Sequence, residues 1–161
     1  MQTRLVQTEP DMSDYTSDLS HAARYGHGIV TAGQPTEAQL QAAAREGVRT
    51  VINLRPAGEF NEYDEAAAVA AAGMTYLVIP VAGPQDINTG NARQLDDALD
   101  GGTPALVHCA SSNRVGALMA YRARYLHDES PESALQIGLD TGLNPSSPLL
   151  EAMRDKLGVT G

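Results

Sequence analysis

The chain has 161 residues, 42% of them apolar and 4% aromatic, a formal charge of −9 and a single cysteine. Length predicts one domain able to bury about two-thirds of its unfolded surface. The acidity argues against nucleic acid or an anionic membrane as partner, and no run of about 18 apolar residues offers a membrane span.

One cysteine forms no internal disulfide and fits a reducing compartment, so a cytoplasmic location is expected. Met1 to Asp14 show no apolar signal segment, and a leader already removed would leave none to see. Residues 1–26 read as a polar lead-in, 27–143 as the core and 144–161 as a C-terminal helix.

Asp11 to Arg24 could form a short helix, and Gly28 to Ala32 read as a first, edge strand ending in the Gly33-Gln34-Pro35 turn. Thr36 with Gln39 has the capping-box spacing and predicts a helix to Glu46, which Gly47 stops. Val48 to Leu54 is β-branched and apolar, a central strand, and Arg55 to Glu59 is the loop leaving it. Asn61 is placed to cap a helix through Ala72. Met74 to Val81 predicts a third strand, broken by Pro80 and the Gly83-Pro84 turn. Asn88 or Thr89 opens a helix to Leu99. Beyond Gly101-Gly102, Ala105 to Val107 is a short buried strand, and Val115 to His127 has a helical apolar period. Ser130-Pro131-Glu132 starts a helix ending near Gly142, and Pro148 to Leu157 forms the last. Strands alternating with helices predict an α/β fold: a mainly parallel sheet of four to five strands flanked by helices. Ligands on such sheets sit beyond the strand carboxyl ends, which places Arg55, the 82–87 loop and the loop after Val107 on one rim.

The last of these is His108-Cys109-Ala110-Ser111-Ser112-Asn113-Arg114. Backbone N–H groups of a tight loop at a helix N-terminus converge on an anion. A guanidinium grips an oxyanion there with two parallel bonds. The same positive setting favours the thiolate, the nucleophilic form of a cysteine. An arginine at a helix start is poorly placed unless an anion lies between it and the positive helix end. Cys109 is therefore the candidate nucleophile and Arg114 the candidate oxyanion ligand. His108, facing inward from the strand, would orient the loop. Ala110, Ser111, Ser112 and Asn113 would supply the cradle, with the two serine hydroxyls as possible donors to the thiolate. Arg55 could add positive field at the rim. His21, His27 and His127 lack metal-ligand spacing, so no metal and no cofactor are expected.

The His108-Cys109 to Arg114 loop resembles the signature of tyrosine and dual-specificity cysteine phosphatases. With Thr31-Ala32-Gly33-Gln34-Pro35, Val51-Ile52-Asn53-Leu54-Arg55 and Ile79-Pro80-Val81, it is most similar to a bacterial phosphatase-like family. That family occurs alone or fused to a metallo-β-lactamase-type enzyme of sulfide metabolism, in the beta-lactamase hydrolase-like proteins. The resemblance implies a cysteine-phosphatase fold and phosphomonoester hydrolysis through a phosphocysteine. It also implies that Asp86, after the Ile79-Pro80-Val81 strand end, is the general acid. Two departures stand out. Only four residues separate Cys109 from Arg114, where phosphatases usually have five, and Ser112 stands where the family usually has glycine. The shorter loop resembles that of rhodanese-type sulfurtransferases, which carry a persulfide on the cysteine. Three function classes follow: a phosphatase acting on a phosphorylated protein or small phosphomonoester, a sulfurtransferase taking a sulfane-sulfur donor, and an anion-binding module without turnover. Glu59 and Glu65 are placed to clamp Arg55.

Overall fold

The computed structural model describes residues 14–160. Five strands, β1 (Ala23–Tyr25), β2 (Ile29–Ala32), β3 (Thr50–Asn53), β4 (Thr75–Val78) and β5 (Ala105–His108), form one sheet in the order β1-β2-β5-β3-β4. Only β1 is antiparallel to its neighbour. Six helices flank the sheet: α1 (Glu37–Arg45), α2 (Glu65–Ala71), α3 (Thr89–Leu99), α4 (Asn113–Leu126), α5 (Pro131–Asp140) and α6 (Pro148–Leu157). Ala32, Asn53 and His108 are register partners at the carboxyl ends of β2, β3 and β5, so the chain leaves all three strands at one level.

Side-chain alternation divides the apolar residues between two faces. Ile52, Val107 and Cys109 pack with Leu95, Leu118 and Met153 on one face. Val51 and Leu106 pack with Leu40, Ala43 and Val69 on the other. His108 and Cys109 are consecutive, and therefore point to opposite faces. Gly116 of α4 and Gly138 of α5 let these helices touch backbone to backbone. A Cβ at Gly116 would stand 2.6 Å from the Gly138 carbonyl oxygen.

Three local expectations are corrected. The helix over Asp11 to Arg24 is not formed: its start lies outside the described residues, 14–21 is turn, and Ala23–Tyr25 is a strand. A turn through Gly26 (φ 56°) and Gly28 (φ 85°) folds β1 back on β2. β2 is consequently an interior strand rather than an edge. Asp64, not Asn61, caps α2, its Oδ1 accepting the Ala67 N–H at 3.1 Å. The Thr36–Gln39 capping box on α1 and the Asn88 cap on α3 are both present. Among the described residues no helix is long and apolar enough to cross a membrane.

Candidate active site

β5 delivers Cys109 almost fully buried, at 1% exposure. α4 begins at Asn113, two residues earlier than its apolar period predicts. Ala110 and Ser111 are thereby confined to an exposed tip. The loop is pinned from both sides. Cys109 N donates to the Ala32 carbonyl at 3.3 Å, and Gln34 N donates to the Ala110 carbonyl at 3.1 Å. Gly33 is required at this approach, because a Cβ there would lie 2.7 Å from the Ala110 oxygen. On the far side Asn113 Oδ1 accepts the Asn144 N–H at 2.8 Å.

Ser112 adopts the left-handed conformation, φ 70° and ψ −4°, which glycine takes without strain. It is buried, and its hydroxyl donates to the Thr141 carbonyl at 3.0 Å. A hydroxyl has one proton, so the Ser112 side chain is not a donor to the Cys109 sulfur. That expectation is corrected.

Arg114 has five N–H donors, and three are spoken for. Nη1 donates to Glu59 Oε2 and to the Val81 carbonyl, both at 2.9 Å, and Nη2 donates to Glu59 Oε1 at 2.6 Å. Glu59 therefore holds the terminal edge of the guanidinium. The lateral edge, Nε–H with the second Nη2–H, makes no hydrogen bond to an oxygen acceptor among the described residues. It has the spacing of two oxyanion oxygens, and the Cys109 side chain lies within hydrogen-bond reach of the same guanidinium. The Glu59 hydrogen bonds raise Arg114 above its ordinary pKa, and the nearby Cys109 adds to the effect. Arg114 in turn holds the Glu59 carboxyl below the usual carboxylate range.

Arg55, leaving β3, binds the same carboxylate through Nε at 2.8 Å. Its Nη1 donates to Gln34 Oε1 at 3.0 Å, and its guanidinium lies over the Phe60 ring. Arg55 thus reaches the loop through Glu59. Behind the loop, buried His108 meets buried Glu65 of α2, Nε2 to Oε2 at 2.5 Å. His108 Nδ1 faces the Cys109 carbonyl at 3.3 Å. Both ring nitrogens thus face oxygen atoms, one of the carboxylate and one of the backbone.

Asp86 closes a 3-10 turn, Pro84–Asp86, on the same rim. Its Oδ2 accepts the Ala82 N–H at 2.8 Å, and Oδ1 takes no hydrogen bond from the described residues. Arg114 binds Val81, the residue before Ala82, so the Asp86 turn and the Cys109 loop are tied within one residue of each other. Two open hollows of about 520 and 530 Å³ adjoin Arg55, the first lined also by Asp64 and Glu65, the second by Glu37, Glu59 and Glu62.

The mainly parallel five-stranded sheet flanked by helices, with the Cys109–Arg114 turn at its carboxyl end, has the α/β fold of the cysteine phosphatases. A DUF442 protein of Shewanella putrefaciens superposes with a TM-score of 0.69 at 23% identity, over 89% of this chain and 95% of that one. TpbA of P. aeruginosa superposes at 0.65 and 18% identity, over 88% and 86%. A TpbA variant in complex with pTyr gives 0.59 and 17%, over 87% and 91%. Residues 27–123 match the family model "Beta-lactamase hydrolase-like protein, phosphatase-like domain", and the chain belongs to that family. A beta-lactamase hydrolase-like protein of Agrobacterium fabrum is 33% identical over 98 residues, and one of Xylella fastidiosa 38% identical over 99. In each case the match covers 58% of this chain but 22% of the relative.

Arg55, the turn that carries Asp86 and the Cys109–Arg114 loop lie at the same end of the sheet, and His108 lies buried behind the loop. Glu65, expected to clamp Arg55 with Glu59, is instead buried between His108 and Gln34, and the double grip of Glu59 and the role of the Gln34 side chain were missed. Glu65 did leave a signal: it precedes the buried Val69 by four, so it shares the helix face that packs inward.

Proposed function

We propose that this chain is a cysteine-dependent phosphomonoester hydrolase of the tyrosine and dual-specificity type. The observation that carries the reading is the lateral edge of Arg114, which has no oxygen partner among the described residues while Glu59 and Val81 hold the other donors, on a guanidinium within hydrogen-bond reach of Cys109. Two oxygens of a phosphoryl group fit that edge, and backbone N–H groups of the 110–114 turn would serve the third. The Cys109 thiolate attacks phosphorus, forming the S–P bond as the ester O–P bond breaks. Asp86 supplies the proton to the leaving oxygen from its free Oδ1, then takes a proton from the water that releases phosphate. The substrate is a phosphorylated protein or small phosphomonoester, in line with the pTyr complex of TpbA. No cofactor takes part.

A second reading rests on the loop length. Four residues between Cys109 and Arg114 make a smaller cradle than five, suited to a single sulfur on the cysteine. The two readings separate in one experiment. Wild type, Cys109→Ser and Asp86→Asn are assayed on an aryl phosphate and on thiosulfate with cyanide. Phosphate release that is lost in Cys109→Ser and slowed about 10²–10⁴-fold in Asp86→Asn is expected. Thiocyanate formation indifferent to Asp86 overturns the phosphatase in favour of a persulfide carrier. No product from either substrate leaves an anion-binding module.

A further inference from the structure

Six side chains form one continuous hydrogen-bonded chain around the back of the loop, from the residue before the thiol to the arginine that closes the turn. His108 meets Glu65 at 2.5 Å, and Glu65 Oε1 accepts from Gln34 Nε2 at 2.9 Å. Gln34 Oε1 accepts from Arg55 at 3.0 Å, Arg55 donates to Glu59 at 2.8 Å, and Glu59 grips Arg114. Five of the six are ionisable. Gln34 alone is neutral, and it stands at the middle.

We propose that Gln34 is a positioning residue that couples the thiol half of the site, His108 and Glu65, to the anion half, Arg55, Glu59 and Arg114. The chemistry of its neighbours requires an amide. Glu65 offers only acceptors and Arg55 only donors, so the spacer between them needs a donor at one end and an acceptor at the other. Carboxylate and ammonium side chains each fail one side, and a hydroxyl is too short to span both. The amide orientation is fixed by the same rule, since the flipped amide would set donor against donor. With one Glu65 oxygen on Gln34, the other is turned to His108. With one Arg55 nitrogen on Gln34, Nε is left for Glu59. The Gln34 backbone also binds the loop itself, through its N–H to the Ala110 carbonyl at 3.1 Å. The amide nitrogen lies 3.3 Å from the Tyr63 hydroxyl as well, which donates to the Pro35 carbonyl at 2.7 Å.

This role rests on the loop being an anion site, and the test is arranged so that the two can fail separately. Cys109 is the only cysteine, so its thiolate fraction at neutral pH is read directly by ultraviolet absorbance. Inorganic phosphate is the probe of the anion half, by calorimetry. Gln34→Met keeps the side-chain length and removes both bonds: the thiolate fraction falls, and phosphate binds about tenfold more weakly. Gln34→Glu keeps the acceptor for Arg55 but faces Glu65 with a like charge. Its thiolate fraction falls as well, while its phosphate affinity falls less than in Gln34→Met. Tyr63→Phe removes only a hydroxyl that meets the Gln34 amide nitrogen and the Pro35 carbonyl and leaves the Glu65 and Arg55 bonds of Gln34, so it lowers Tm and leaves both readouts in place. The proposal is overturned if Gln34→Met lowers Tm alone. Should Gln34→Met not fold, an unchanged thiolate fraction in Gln34→Glu overturns it equally. If wild type takes up no phosphate, the anion-site reading fails by itself, and the thiolate readout still decides whether Gln34 acts on Cys109.

Discussion

Glu59 holds Arg114 from the outside of the turn, its two oxygens on the two terminal nitrogens at 2.9 and 2.6 Å. A carboxylate on an anion-binding arginine is open to two interpretations, an internal competitor or a brace. The donor count decides for the brace, because among the described residues no oxygen acceptor takes the lateral edge and a guanidinium can serve two forks at once.

Glu59→Gln should therefore weaken the site rather than open it. Phosphate affinity and kcat/KM for an aryl phosphate fall about tenfold, as a fixed fork becomes a mobile one. A rise in affinity would mark Glu59 as a competitor. The pH dependence has a definite sign. Arg114 depresses the Glu59 carboxyl below its ordinary value of 4.5. Its contribution is complete above that value and is lost as pH falls through the lower folded value. Glu59→Gln is then less stable than wild type at neutral pH by about 0.5–1 kcal/mol, the size of a surface pair. The difference closes in strong acid, as urea unfolding at several pH values would show.

His108 and Glu65 present the opposite case, a pair out of water at 0% and 6% exposure. Glu65→Leu leaves a buried imidazole facing an apolar group and should cost about 3–5 kcal/mol by urea unfolding. Glu65→Gln retains an acceptor for His108 and should cost clearly less. Equal losses would mean that packing of α2, not the pair, carries the energy.

Much of this was readable from the residues alone, and the exceptions have physical reasons. The capping box at Thr36 and Gln39 is a local code, and it is found as written. The cysteine loop was legible because strand, small polar residues and arginine are consecutive. β1 was not, because Ala23-Arg24-Tyr25 has no strand pattern of its own and becomes a strand only by pairing with Ile29–Thr31. Asn61 and Asp64 are both Asx residues ahead of an alanine run, and it is Asp64 whose side chain accepts the Ala67 N–H. Glu59 was read as a clamp for Arg55, which it is, but its grip on Arg114 spans 55 residues that no local pattern links.

Ser112 allows a sharper test of the loop backbone. Its left-handed conformation costs a non-glycine residue about 1–2 kcal/mol, and its hydroxyl recovers about 1 kcal/mol through the Thr141 carbonyl. Ser112→Ala keeps the strain and loses the bond, so it should lower stability by about 1 kcal/mol or more. Ser112→Gly loses both together and should be close to neutral. A large loss in Ser112→Gly would show that the Thr141 contact, rather than the backbone angle, governs this position.

Gly33 separates stability from activity. A Cβ at this position would stand 2.5 Å from Ser20 Oγ and 2.7 Å from the Ala110 oxygen. The serine side chain can turn away, whereas the Ala110 carbonyl is part of the cysteine loop and can yield only by moving it. Gly33→Ala should therefore displace Ala110, lengthen the Gln34 N–H bond to its carbonyl, and shift Cys109 relative to Arg114. Misplacement on the order of 1 Å costs about 10²-fold in rate, while the thermal midpoint falls by only a few degrees, about 1 kcal/mol for a chain of this size. Steady-state kinetics on an aryl phosphate beside thermal unfolding would read both. Full activity with an unchanged midpoint would contradict the close approach of Gly33 to the loop, and loss of fold would contradict the separation of stability from activity.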